Sequence, residues 1–290
     1  MTSIMRFTHI LCPTDYSEPA ATALECAIAV AGWYKARVTL LHVCSGPPAE
    51  SDRVRLLREA ATARDMARSP APLDVSLVEG DPARAILIEA ARLPADLLVL
   101  GTHGTSGFKR LILGSVTEKV LRQAPAPVLT VPPSAGSQAN LAFQRVLCGV
   151  DFSASSVSAL AYARSLAAEA DACLIVVHAL EWPWDEPPAP DFDELPTAER
   201  AALRAFRRRR EQEASERLAA VAAIGNEGRI RGRVVHGKAY AAVLRVAAEE
   251  RADLIVLGVG GRSGTERALF GSTTNQVVRR ATCPVLTIHG

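Results

Sequence analysis

Two stretches of this chain carry the same glycine spacing, and that repetition restricts the fold more than any other feature. Gly101-Thr-His-Gly104 is followed, after nine residues, by Gly114-Ser115, and Gly258-Val-Gly-Gly261 is followed, after nine residues, by Gly271-Ser272. Each copy comes after an apolar run, Asp96 to Gly101 and Asp253 to Gly258, of the kind that forms a buried strand, and each closes on a segment that reads as a helix start. Glycines there let the chain take up positive φ and let a bulky anion come close, while the N–H groups of the following helix point at it. The spacing predicts two phosphate-binding loops.

The repeat extends beyond the glycines. His9 to Ser17 (HILCPTDYS) matches Arg145 to Ser153 (RVLCGVDFS), Val38 to Val43 matches Cys173 to Ala179, and Pro125 to Val131 matches Thr282 to Ile288. Two similar halves follow, and 290 residues suffice for two domains with their own cores. At 49% hydrophobic and 22% charged residues the composition is that of a soluble globular protein, and a net charge of +2 implies no polyanion partner. No apolar stretch is long enough to span a membrane and Met1 to Arg6 lacks a signal-peptide layout, so a cytoplasmic location is expected. The six cysteines contain no Cys-x-x-Cys pair and read as reduced, buried thiols.

Within each half, apolar runs alternate with helical periodicity, which predicts an α/β fold with a parallel sheet covered on both faces. Strands are expected near 7–13, 37–43, 73–79, 96–101 and 127–131, and again near 145–150, 173–179, 229–236, 253–258 and 284–289. Residues 134–142 have a linker's composition and divide the chain into domains 1–133 and 143–290. A proline-rich insertion, 181–196, precedes a charged helix from about Ala198 to Ala223. Arg207 to Arg210 on that helix read as a solvated face balanced by Glu199, Glu211, Glu213 and Glu216, the alternative being an anion patch. Trp182 and Trp184 offer either a partner-binding hook or packing of the insertion on its own domain.

In an open parallel sheet, ligands bind beyond the carboxyl ends of the strands where the winding reverses. If the first and fourth strands flank that reversal, Asp15 faces Gly101 across one crevice and Asp151 faces Gly258 across another. Such an acid could take a ribose hydroxyl, a base amino group or a magnesium ion, although Ser17 and Ser153 are also good helix caps and the acid could simply belong to the turn. His42 and His178 sit inside apolar strands and read as satisfied core histidines. Walker and dinucleotide fingerprints are absent, and no paired His and Ser stands near the loops, which argues against strong hydrolase or kinase chemistry.

Taken with the Asp after the first strand, the motif Gly-x-x-Gly, nine residues, Gly-Ser resembles that of the universal stress protein family, and both halves match it. The resemblance covers the chain except for the 181–223 region. It implies two tandem, doubly wound, five-stranded parallel sheets with strand order 3-2-1-4-5, each binding an adenine nucleotide such as ATP; magnesium accompanying ATP near Asp15 and Asp151 is one option that the acids' chemistry leaves open. Carried over by position, Asp15, Val43, Gly101, Gly104, Gly114, Ser115 and Val116 would line the first site. Asp151, Ala179, Gly258, Gly261, Gly271, Ser272 and Thr273 would line the second. Backbone groups at Val43 and Ala179 would read the adenine edge, and the helix N-termini at Ser115 and Ser272 would take the phosphates. Ser115 also begins Ser-Val-Thr-Glu118, a capping-box pattern.

The two loops differ inside. Lys109 and Arg110 stand opposite Glu266 and Arg267, and His103 opposite Gly260, so Lys109, Arg110 and Arg267 are phosphate-proximal candidates and the first site is expected to be the more complete. The overall expectation is an ATP-binding regulatory protein of the stress response without strong catalysis. Alternatives are a slow ATPase or autophosphorylating protein, and a dimerisation scaffold with vestigial sites. If the family's strand order holds, the last strand of each half is an exposed apolar edge. The halves are then expected to pair with each other or with a second chain as a homodimer.

Overall fold

The computed structural model describes residues 6–67, 71–102, 113–135, 143–182, 196–222, 229–260 and 271–289. The first half runs β1 (His9–Thr14), α1 (Glu18–Tyr34), β2 (Arg37–Cys44), α2 (Glu50–Ala67), β3 (Leu73–Glu79), α3 (Pro82–Arg92), β4 (Leu97–Gly101), α4 (Ser115–Gln123) and β5 (Val128–Val131). The second repeats it as β6 (Arg145–Gly149), α5 (Ala154–Glu169), β7 (Cys173–Leu180), α6 (Thr197–Ala222), β8 (Ile230–His236), α7 (Ala239–Glu249), β9 (Leu254–Val259), α8 (Ser272–Arg280) and β10 (Val285–His289). The expected strands are all present, with bounds moved by a residue or two.

Strand order is β3-β2-β1-β4-β5 in the first half and β10-β9-β6-β7-β8 in the second, so each half carries the 3-2-1-4-5 order. Pairing within each half is parallel. The halves do not stay separate sheets. β5 pairs antiparallel with β10 through Val285 against Thr130, Leu286 against Leu129 and Thr287 against Val128, which yields one ten-stranded sheet. The expected apolar edges therefore cover each other, as edge strands with unpaired N–H and C=O groups tend to.

The junction is nearly two-fold symmetric in its chemistry. The Thr130 hydroxyl donates to the Val285 carbonyl at 3.1 Å, and the Thr287 hydroxyl donates to the Val128 carbonyl at 3.1 Å, both threonines being fully buried. Aromatic pairs reinforce it on one face: Phe7 stacks on Tyr162 with ring centroids 6.1 Å apart, and Trp33 meets Phe143 edge-on at 5.0 Å. Residues of both halves consequently join one apolar core beneath α1 and α5, with a second core on the opposite face beneath α3, α4, α7 and α8.

Cys173 is exposed, whereas the other cysteines are buried, and all are free. Burial pushes the Cys26 and Cys148 thiols up to about 12, so neither is a thiolate at neutral pH. Arg209 and Arg210 pair with Glu213 on α6, in line with a solvated charged face. Trp182 is buried against Phe206, ring centroids 6.0 Å apart, and packs on its own domain; Trp184 lies outside the described residues.

Candidate functional site

Where β1 and β6 end, the chain makes the same turn in both halves. The Ser17 N–H and hydroxyl donate to Asp15 Oδ1 at 3.1 and 2.5 Å, and those of Ser153 donate to Asp151 Oδ1 at 3.0 and 2.5 Å. Each serine then caps the following helix, accepting from Ala20 N–H or Ser156 N–H at 3.3 Å. The acids thus have the turn role as well as a position at the crevice. The residue between acid and cap, Tyr16 or Phe152, is held at φ +63°, left-handed for a bulky side chain.

That strained residue belongs to a stack the sequence reading missed. The Tyr16 ring lies 4.3 Å from the His42 ring and beneath the Arg55 guanidinium at 3.8 Å; Phe152 lies 4.6 Å from His178 and beneath Arg217 at 4.6 Å. His42 Nδ1 donates to the Thr14 carbonyl at 2.9 Å and His178 Nδ1 to the Val150 carbonyl at 2.8 Å, since a carbonyl can only accept. His178 is buried and His42 half-buried, and they tie β7 to the end of β6 and β2 to the end of β1. The signal was the recurrence of an aromatic between Asp and Ser in both halves. Beside Tyr16, the Thr14 hydroxyl donates to Glu59 at 2.9 Å, and burial raises the Glu59 carboxyl above its ordinary range against the opposing pull of that bond, Arg55 and His42. Burial also pushes the Tyr16 phenol up to about 12.

The glycines of the repeat divide by physical role. A Cβ on Gly258 would stand 2.5 Å from Ser155 C and 2.6 Å from Ser155 O, and a Cβ on Gly101 would stand 2.9 Å from Pro19 O. Both are therefore glycine because α1 and α5 cross the strand ends there. Gly271 is different. Its φ of −52° suits any residue, and a Cβ on it meets nothing closer than Thr274 Oγ1 at 3.9 Å. No atom of the described residues requires a glycine at that position, which leaves its Cα open to an incoming group.

Helix starts differ in the same way. α1, α3 and α5 are capped by Ser17, Asp81 and Ser153, and the first N–H of α7, Ala239, donates to Glu181 Oε1 at 2.5 Å. α4 and α8 have glycine at the cap, Gly114 and Gly271, with no side-chain acceptor among the described residues, so their first N–H groups suit an anion. Ser115 is the first helical residue, which overturns its reading as a cap, and Glu118 turns to Arg122 at 2.7 Å and Arg279 at 3.5 Å. The helices are fixed to their strands identically: Thr117 donates to the Gly101 carbonyl at 2.9 Å and Thr274 to the Gly258 carbonyl at 3.1 Å.

In the second half these elements enclose a recess of about 240 Å³ whose walls include Asp151, Ala179, Gly258, Gly271, Ser272 and Thr273, together with Ser155 and Ser156, which the sequence reading did not single out. Leu180 C=O points to β8, where it accepts from Gly237 N–H at 3.1 Å, so by strand alternation the amide groups of Ala179 point the other way, past the end of β6 at Gly149. In the first half, Asp15 and Val43 stand at the ends of β1 and β2, and Gly101, Gly114, Ser115 and Val116 at the β4–α4 corner, where Gly114 N–H donates to Thr102 O at 2.9 Å. Gly104, Gly261, Lys109, Arg110 and Arg267 lie outside the described residues, as do His103 and Glu266. The expectation of a more complete first site rests largely on those residues. The described ones weigh the other way, since Ser155, Ser156 and Thr273 stand where the first half has Pro19, Ala20 and Val116.

A family model described as the universal stress protein family matches residues 6–132 and 142–289. A universal stress protein of Methanocaldococcus jannaschii is 34% identical over 139 residues, 43% of this chain and 82% of that protein. One from Thermus aquaticus is 38% identical over 135 residues, 43% of this chain and 98% of that protein. Among solved structures, a functionally unknown protein from Pseudomonas aeruginosa superposes with a TM-score of 0.72 at 20% identity over 100% of this chain and 95% of its own, a likeness of fold alone.

Proposed function

We propose, for a chain that belongs to the universal stress protein family through both of its halves, that the crevice between β6 and β9 binds an adenine nucleotide and that the protein acts as a nucleotide-responsive binding module. The observation that carries this reading is the open Gly271 at the head of α8, whose N-terminus no described side chain caps, facing a recess that also holds Asp151 and Ala179. ATP fits the donor set. Ser272, Thr273 and the first N–H groups of α8 would take phosphate oxygens, and the amide groups of Ala179 would meet an adenine edge in the manner of a missing strand. Asp151 would accept from a ribose hydroxyl or bind a magnesium ion that accompanies the phosphates. The first half repeats part of the donor set with Asp15, Val43, Gly114 and Ser115, and has Val116 in place of Thr273.

The described groups are donors and acceptors suited to holding phosphate, ribose and base, which supports binding. A homodimer would have to use a surface other than β5 and β10, which occupy each other. No helix among the described residues is long and apolar enough to cross a membrane. The test is mass spectrometry of ligand released from freshly purified, denatured protein, followed by calorimetric titration with ATP and GTP. Adenine nucleotide carried through purification and a preference for ATP are expected; equal affinities, or no binding by either, would remove the reading.

A further inference from the structure

A second recess, of about 380 Å³, lies along the outer side of α8 and is lined by Ser272, Asn275, Gln276, Arg279 and Arg280. Their spacing of three, four, seven and eight from Ser272 sets them on one helix face. Ser272 lines this recess and the crevice alike, so the two are contiguous around the head of the helix. We infer that this polar stripe is an anion subsite, taking a phosphate group beyond the one received at the N-terminus of α8.

The arginines start about two turns, ~10 Å, along the axis, but side chains on a helix lean toward its N-terminus. Arg279 does so, its Nε donating to Asn275 Oδ1 at 2.5 Å, which aims the guanidinium back along the stripe. Arg280 lies over the Tyr240 ring with its guanidinium carbon 5.1 Å from the centroid, a contact that holds the stem and leaves the charge. One carboxylate, Glu118, answers both Arg122 and Arg279, and Arg280 has no ion pair among the described residues. Among the described residues the recess therefore carries net positive charge, with no acid on its own wall. The first half carries a different stripe: α4 has Glu118 at the place of Asn275, Lys119 at the place of Gln276 and Gln123 at the place of Arg280. Both faces carry two cations, but the acid near the helix head leaves that of α4 with less net positive charge and makes it a poorer anion site.

Two sources supply such a phosphate, the terminal groups of a nucleotide seated in the crevice or a separate inorganic anion; only the first rests on the nucleotide reading. The full chain is titrated with AMP, ATP and inorganic phosphate, the last also on protein saturated with AMP, for the native protein, Arg280→Gln and Arg279→Gln. Arg280→Gln is the leading variant because Arg279 also holds Glu118 and Asn275. If the tail of the nucleotide is the source, ATP weakens by about tenfold at one of the sites while AMP stays within about twofold. If a separate anion is the source, inorganic phosphate binds alongside AMP and weakens by about tenfold in the variants, with ATP unchanged. Should no nucleotide bind at all, the nucleotide reading falls and the inorganic phosphate titration still decides the subsite. Variants that leave both ATP and phosphate within about twofold of native, or that weaken AMP as much as ATP, overturn it.

Discussion

Two glycines thirteen residues apart in one motif, Gly258 and Gly271, do opposite work, and substitution separates them. Gly258→Ala drives a Cβ into the Ser155 backbone at 2.5 Å and should cost about 3 kcal/mol or more in denaturant unfolding. Gly271→Val meets nothing closer than ordinary contact among the described residues and should leave stability within about 1 kcal/mol while abolishing nucleotide binding in the second half; retained binding would make that glycine irrelevant to the ligand. The motif was legible as a pair of loops, yet the division of labour was not, because it depends on where α5 crosses β9 and sequence spacing carries no such distance. Glu59 gives a pH test at the same scale. Burial holds its folded pKa above the ordinary 4.5, so the stability it contributes is full below that value and is lost as the pH rises through the raised one. Glu59→Gln keeps an acceptor for the Thr14 hydroxyl and removes the buried charge. Melting curves should show the variant at least as stable as the native protein at neutral pH, with the advantage shrinking on acidification; a less stable variant at neutral pH would mean that Arg55 and His42 outweigh burial.

At the level of elements, α8 is positioned by one buried hydroxyl. Thr274→Val removes its bond to the Gly258 carbonyl and leaves that acceptor poorly satisfied, at a cost of about 1–2 kcal/mol. The helix head should lose its register with β9, so nucleotide affinity should fall along with stability; unchanged affinity in a destabilised variant would show that the head is set by the loop instead. The strands were readable because apolar runs bounded by turn residues have few alternatives. Helix starts were readable only where the capping partner is local, as at Ser17 and Ser153. The Ser115-Val-Thr-Glu118 pattern misled because the helix is entered one residue earlier, at Gly114, and its acid turns to Arg122 at 2.7 Å and to the distant Arg279.

For the whole molecule, the junction of β5 with β10 sets the geometry of function. Parallel strands within each half and an antiparallel seam between them make the two sets of carboxyl ends face opposite ways, so the two crevices open at opposite ends of the sheet. No single small ligand can span both. Thr130→Asp with Thr287→Asp would bury two charges in the seam at a cost of several kcal/mol, and calorimetry should then resolve two unfolding transitions where the native protein shows one. A single transition in the double variant would mean that the aromatic contacts of Phe7 and Trp33 carry the coupling. That the edges would seek a partner was legible from their apolar residues, whereas the choice of each other is a pairing of residues far apart in the sequence, such as Leu129 with Leu286, which no local pattern carries. The seam also makes assembly independent of dilution. Separate chains joined along such an edge part when scarce, but two halves on one polypeptide meet at an effective concentration on the order of millimolar, so the ten-stranded sheet is as complete in a cell holding a few copies as in one holding thousands.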